Sequence, residues 1–295
     1  MSEALNRLVE LLDLEQLEVN LFRGVSPDED RQRVFGGQVA GQALVAAGKT
    51  VERPVHSLHA YFLRPGDMKV PILYQVDRLR DGRTFTTRHV TAIQHGRPIF
   101  TLSASFQAGE AGLEHQAPMP DAPDPESLPT FRERLLAARN VPREFVKHML
   151  DRGEHPIDSR PVDAGTFWER DRHPPESLVW IRANGQLPED PLLHQCVATY
   201  ASDMTLLETA IRPHPIAMID DELNAASLDH SMWFHRPFRA DEWLLYAQDS
   251  WSMSNSRGFT TAKLFTRDGR LAVSVAQEGF LRWKGPVPQE PSSDS

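Results

Sequence analysis

The sequence predicts an α+β protein made of two copies of one unit, each a long helix followed by an antiparallel meander, joined by a proline-rich connector. Three observations predict it. The stretch FHRPFRADEWLLY (Phe234 to Tyr246) repeats FLRPGDMKVPILY (Phe62 to Tyr74) at an offset of 172 residues (234 − 62), keeping Phe, Arg, Pro and Tyr in step. Both copies sit within the same order of helix and strand patterns. Between them, over 109–177, apolar periodicity gives way to a segment crowded with proline at either end.

The first unit spans 1–108. It opens on MSEALNRLVELLDLEQL, where Leu5, Leu8, Leu11 and Leu12 fall at helical spacing among charges, which predicts an amphipathic helix and not a leader peptide. VFGGQVAGQALVAAGKTV (Val34 to Val51) predicts the long helix, with Val39, Ala43, Leu44 and Ala47 on one stripe and Gly48 at its end. Strands follow at His56–Leu63, Ile72–Leu79, Thr84–Ile93 and Pro98–Phe106, with Pro65-Gly66, Asp81-Gly82 and His95-Gly96 as turns. The second unit, 178–284, repeats the order. Leu192–Ile211 is its helix, and Ala225–Phe234, Trp243–Ser250, Gly258–Thr266 and Leu271–Phe280 are its strands, with Asp268-Gly269 as a turn. FTT recurs at Phe85 and Phe259, and GR at Gly96 and Gly269. The connector is expected to hold one helix, Phe131–Leu150, and the tail 285–295 is expected to be disordered.

A helix and a meander bury each other when the sheet wraps the helix, but a single such unit leaves a sheet edge open, and a second copy covers it. That is the architecture of a hotdog fold, here a tandem (double) hotdog in which one half is the covalent partner of the other. Gly37 and Gly41, four residues apart on one helix face, are expected to let helix and sheet approach closely.

Composition narrows the function. A net charge of −9 argues against general affinity for nucleic acid or anionic lipid. No window is apolar enough to insert in a membrane. Cys196 is the single cysteine, so no intrachain disulfide can form, and a reducing, cytoplasmic setting is expected. The closing SSDS is not the SKL address. There is no G-x-S-x-G for a serine hydrolase, and Asp229, His230 and His235 lack H-E-x-x-H spacing, so neither metal nor other cofactor is expected. GGQVAG lacks the dinucleotide spacing. His230 and His235 are expected to be structural or marginal to a site, and His56 and His59 structural.

Duplicated folds diverge where one copy keeps chemistry, so polar residues in elements that ought to be buried draw attention. Asp203 interrupts the apolar TYASDMTLL of the second helix. Gln277 shares a strand face with Val273 and Val275, while its first-half counterpart at an offset of 173 is Ala104 (277 − 104). Ser227, at the start of the strand AASLDHSMWF, is a weaker signal by itself.

With FGGQVAGQAL, HAYFLRPGD, VWIRANG, YASD, DHSMWFHRPF, EWLLY and QEG, the chain closely resembles the acyl-CoA thioesterase II (TesB-type) family, from the N-terminal helix to about Arg282. The resemblance implies an acyl-CoA substrate and a water held and activated by Asp203, Ser227 and Gln277, with Ser227 where some members carry Thr. It also implies assembly as a homo-oligomer, a dimer or tetramer. A thioester is electrophilic and a thiolate leaves readily, so one carboxylate base and one water suffice. Two alternatives stay open: an acyl-CoA hydratase on the same fold, disfavoured because Asp229 and His230 point to opposite strand faces, and a non-catalytic acyl-CoA-binding protein.

Overall fold

Helix α1 (Glu3–Leu12) is capped by Ser2, whose hydroxyl accepts from the Leu5 N–H, and it buries Ala4, Leu5, Leu8 and Leu12. The structure, a computed structural model, describes residues 2–27, 32–139, 141–163 and 168–286, so the expected disordered tail lies, from 287 onward, outside the described residues. After α1 come β1 (Glu15–Glu18), β2 (Leu21–Gly24), α2 (Gly36–Gly48), β3 (Val55–Phe62), β4 (Ile72–Asp81), β5 (Phe85–Gln94) and β6 (Arg97–Gln107). The connector contributes α3 (Phe131–Ala137), α4 (Arg143–Asp151) and β7 (Ile157–Pro161). The second half runs β8 (Glu176–Ala183), α5 (Pro191–Ser202), α6 (Leu206–Ile211), β9 (Leu223–Ser227), β10 (Asp229–Phe234), β11 (Leu244–Ser254), β12 (Arg257–Thr266) and β13 (Leu271–Trp283).

One antiparallel sheet holds the molecule together, in the order β1-β2-β4-β5-β6-β3-β10-β13-β12-β11-β8-β7, with β9 added on β13. Its two halves mirror each other about the β3–β10 pair. There His59 lies opposite Ser231, and 59 + 172 is 231, so the repeat offset and the strand register share one pseudo-two-fold axis. The sheet edges that each unit would expose are thereby paired to one another. The tandem hotdog is the observed fold.

The sheet wraps α2 and α5, which cross antiparallel. Every residue of α2 from Gly37 to Gly48 is buried, and the amides of Gln38 and Gln42, polar within this mostly apolar helix, donate to the Val25 and Leu11 carbonyls. The close approach at Gly37 and Gly41 is to the other helix and not to the sheet. A Cβ at Gly37 would lie 2.3 Å from the Tyr200 carbonyl oxygen, and one at Gly41 would lie 3.3 Å from that of Cys196.

Other expectations need correction. The single connector helix is two, because Pro142 sits at the N-cap of α4 and its ring forbids a continuous helix. The second-unit helix breaks between Ser202 and Leu206, and the strand expected over Ala225–Phe234 is split at Leu228. Strands β1, β2, β7 and β8 extend the sheet beyond those expected, β7 from within the segment read as connector. The proline-rich start of the connector lies on the outer face of the second half, where Met119, Ala122 and Leu128 pack against a cluster that includes Trp180, Trp243 and Phe265. The Trp180 indole donates to the Pro123 carbonyl at 2.9 Å. Among the described residues, no helix is long and apolar enough to cross a membrane.

Candidate active site

Both breaks in regularity meet at one place. Asp203 is the C-cap of α5, where that helix stops. A carboxylate there faces the negative end of its own helix dipole, which is unfavourable. It is offset from the other half of the molecule: the Gly37 N–H, in the first turn of α2, donates to Asp203, and Phe35 at the α2 N-cap supplies no side-chain acceptor of its own. Asp203 Oδ2 lies so near Gly36 that a Cβ there would come within 2.5 Å of it. The second-half carboxylate thus takes the capping position of the opposite helix.

Ser227 arrives through a β-bulge. Along β13, Gly279 pairs with Ser227 and Ala276 with Ser231. The pair sums, 506 and 507, differ by one residue, so Leu228 and Asp229 share Glu278 as their partner. Leu228 N–H bonds the Glu278 carbonyl at 2.9 Å, and Asp229 Oδ1 accepts the Glu278 N–H at 2.8 Å. In an unbroken strand Ser227 would face outward with Asp229 and Ser231; the bulge turns it inward. Its hydroxyl donates to Asp203 Oδ1 at 2.8 Å.

Gln277 comes from β13 and is 1 % exposed. Its amide nitrogen donates to Asp203 Oδ1 and to Ser227 Oγ, each at 3.0 Å. So the three residues singled out in the sequence, Asp203, Ser227 and Gln277, converge on one another. Asp203 and Ser227 line a large cleft of about 1560 Å³, with Gln277 behind them. Burial pushes the Asp203 pKa above the ordinary 3.8, against the lowering effects of His230 and of the hydrogen bonds from Ser227, Gln277 and Gly37.

His230 was read as structural or marginal, yet it joins this group. It is fully buried on β10, its Nδ1 against Gln277 Oε1 and its Nε2 2.8 Å from Ser202 Oγ. The signal that could have found it is the repeat: 230 − 172 is 58, and Leu58 is apolar. His235 instead bonds Ser274 at 2.8 Å near the surface, and His56 and His59 bond Ser105 and Ser231.

The cleft runs from the mouth of α2 under α3 and α4, and its wall includes α1. Apolar lining comes from Leu8, Val39, Phe62, Phe100, Met204 and Leu207. Among the described lining residues are eight arginines (7, 33, 64, 132, 134, 152, 160 and 182) and four carboxylates, so the cleft is locally basic on an acidic chain. Among the described residues there is no cluster of three His, Cys, Asp or Glu able to hold a metal.

Comparison with known proteins bears on family and fold. Residues 146–280 match the family model described as acyl-CoA thioesterase, and residues 26–107 match the acyl-CoA thioesterase N-terminal domain. The chain is 44 % identical to human acyl-coenzyme A thioesterase 8, over 94 % of this chain and 89 % of that one. It is similar to the solved structure of an acyl-CoA thioesterase II, TesB2, from Mycobacterium marinum, at 44 % identity and a TM-score of 0.76, covering 94 % of this chain and 98 % of that one. A hot dog fold protein of unknown function from Alicyclobacillus acidocaldarius, 18 % identical, superposes with a TM-score of 0.74 over 95 % of this chain and 99 % of that one, a likeness of fold alone. The chain belongs to the TesB-type acyl-CoA thioesterase family.

Proposed function

We propose that the chain hydrolyses the thioester of acyl-CoA to a free acid and CoA, using a water activated by Asp203 with Ser227 and Gln277. One arrangement carries this: a buried carboxylate that opens on a cleft and is gripped by donors from α2, β9 and β13. Capping α2 alone would not need a carboxylate open to a cleft, and burying one costs free energy that its use as a base would justify.

In the reaction, Asp203 takes a proton from the water as its oxygen bonds to the thioester carbonyl carbon. The tetrahedral intermediate collapses with loss of the CoA thiolate, and Asp203 returns the proton to the thiolate. Ser227 and Gln277 hold the carboxylate so that its remaining lone pairs face the cleft. The first-turn N–H groups of α2 at Gly36 and Gln38, both lining the cleft, suit the developing oxyanion, because a helix N-terminus favours negative charge. Cleft arginines such as Arg33, Arg64 and Arg132 suit the CoA phosphates, and the apolar wall suits the acyl chain.

Two further parts of the proposal concern setting. A reducing, cytoplasmic compartment fits a lone thiol, Cys196, that is buried with its pKa pushed up. A homo-oligomer fits the exposed aromatics Tyr61, Trp233, Trp251 and Phe259 on the outer face of the sheet.

The test is release of free thiol from acyl-CoAs running from acetyl to palmitoyl, with wild type beside Asp203→Asn. The expected result is wild-type turnover and a loss of about 10²–10⁴-fold in kcat in the variant, with substrate binding retained. Wild-type binding without cleavage would favour the non-catalytic reading, and an active Asp203→Asn enzyme would remove the carboxylate from the mechanism.

A further inference from the structure

We propose that His230 is a positioning residue for this reaction: held in its Nδ1–H tautomer by Ser202, it fixes the Gln277 amide, and through it Asp203 and Ser227. The proposal rests on the assignment of those three residues made above.

The two halves of the fold supply an internal control. In the first half, Leu58 of β3 lies opposite Ala104 of β6. Adding the repeat offsets, 58 + 172 and 104 + 173, gives His230 and Gln277. Continuing the printed register Ser231 opposite Ala276 by one step sets these two opposite each other. The same sheet position is therefore filled by an apolar pair in one half and by an imidazole and an amide in the other. Folding does not require the polar pair. Both members are nonetheless buried, His230 at 0 % and Gln277 at 1 % exposure, and neither lines the cleft.

The hydrogen-bond directions follow from chemistry. Gln277 uses its amide nitrogen on Asp203 and Ser227, each at 3.0 Å, so its oxygen is what faces His230 Nδ1. An amide oxygen only accepts, so Nδ1 must carry a hydrogen. Burial holds the His230 pKa below its usual value, which leaves a neutral ring whose Nε2 is an acceptor. With Nε2 as the acceptor, the Ser202 hydroxyl, 2.8 Å away, turns its single hydrogen to the imidazole in place of the Thr199 carbonyl, which lies within reach at 3.0 Å. Ser202 is the last residue of α5, next to Asp203, so the chain of contacts closes on itself: Ser202, His230, Gln277, Asp203. The groups bonded to the imidazole are Ser202 on one side and Gln277 on the other, and the charges acting on it are those of Asp203 and Asp229. An amide cannot relay a proton here, so His230 acts by orientation and not as a base.

Without the imidazole, the Gln277 oxygen would be buried with no donor, and the side chain would turn to find one. Its nitrogen would leave Asp203 and Ser227. Displacement of a positioning group by about 1 Å costs on the order of 10²-fold in rate.

The experiment is a kinetic cycle on the full chain with an acyl-CoA that the wild type cleaves: wild type, His230→Leu, Gln277→Ala and the double variant, beside Asp203→Asn and His230→Asn. The double variant rebuilds the Leu–Ala pair of the first half. His230→Leu is expected to lower kcat roughly 10²-fold with KM little changed. It should also move the acid limb of kcat/KM to higher pH, because Asp203 loses a donor that lowers its pKa. In the Gln277→Ala background the same change should cost almost nothing. His230→Asn, which keeps an N–H near the Nδ1 position, should recover most of the rate. An equal loss from His230→Leu with and without Gln277 would overturn the proposal, as would a His230→Leu enzyme with wild-type kcat. If His230→Leu does not fold, the comparison of Gln277→Ala with the double variant and the activity of His230→Asn decide the matter. A folded His230→Asn as slow as Gln277→Ala would then overturn it. An active Asp203→Asn enzyme would instead overturn the assignment beneath it.

Discussion

At the scale of single residues, Asp203 is held in two opposing electrostatic settings, buried at the C-terminal end of α5 and seated on the N-terminal turn of α2. Burial wins, and its pKa stands above the ordinary 3.8. A base must be ionised, so kcat/KM should fall as pH drops through that raised value, and the acid limb should lie above pH 3.8. Ser227→Ala removes a donor that lowers the pKa, so its acid limb should shift to higher pH while kcat falls; Ser227→Thr keeps the hydroxyl and should stay near wild type. A pH–rate profile of the three enzymes checks both. Glu208 gives a second pH effect, this time on stability. Its pKa is pushed up to about 8, chiefly by burial in the cleft wall. Below the unfolded-state value of about 4.5 both states hold the proton. As pH rises from there to about 8, the unfolded chain releases it first and stability is lost. Glu208→Gln should therefore raise Tm at pH 9 by a few degrees, on the order of 1–2 kcal/mol after screening by cleft water, and change little at pH 5. Thermal melts at the two pH values test it, and no gain at pH 9 would mean that Glu208 ionises freely.

Elements decide how much of this was legible beforehand. Asp203 and Gln277 could be read from strings because each breaks a local apolar pattern. Ser227 could not be read from alternation, which sets it outward; only the bulge at Leu228 brings it in, and nothing in AASLDHS marks a bulge. His230 was visible only against Leu58, once the two strands were laid over each other. The long helices and main strands were legible because their periodicity is that of buried faces, but the breaks after Ser202 and at Leu228 were not. β1, EQLE, is exposed throughout and has no such periodicity. The role of Gly37 and Gly41 was misplaced for a different reason: spacing shows that a face is small, not what lies against it. A consequence follows for α2 and α5. Gly37→Ala would put a Cβ 2.3 Å from backbone at Tyr200, which cannot yield without separating the helices, whereas at Gly41 the nearest contact is the movable Leu12 side chain at 3.1 Å. Gly37→Ala should cost about 1–3 kcal/mol or more and also lower kcat, since it drags the Gly37 N–H from Asp203. Gly41→Ala should be milder in stability and nearly normal in rate. Melting curves and steady-state rates for the pair would refute this if the two glycines proved equivalent.

For the whole molecule, duplication separates two jobs that a symmetric pair would do twice. Asp203, Ser227 and Gln277 all come from the second half, yet the N–H that anchors the carboxylate comes from Gly37 in the first, and Gly36 and Gln38 border the same cleft. The corresponding sheet position in the first half holds Leu58 and Ala104. Beside them on β5, directly opposite Ala104, stands Arg88, 1 % exposed and bonded to Thr50 at 2.9 Å and to Asp81 at 2.6 Å. The site is therefore composite although its side chains are not. Residues 178–284 expressed alone would keep the three side chains but lose the helix N-terminus and leave β10 without its partner β3, an open edge prone to pairing with other copies. That fragment should be inactive, and size exclusion should find it self-associated. Co-expression with 1–177 as a second chain should restore activity, because β3 and β10 meet along a full strand and α2 packs on α5. A fragment of 178–284 that cleaved acyl-CoA at the rate of the intact chain would show that the first half contributes nothing to the chemistry, and the place of Gly37 at the carboxylate would have to be given up.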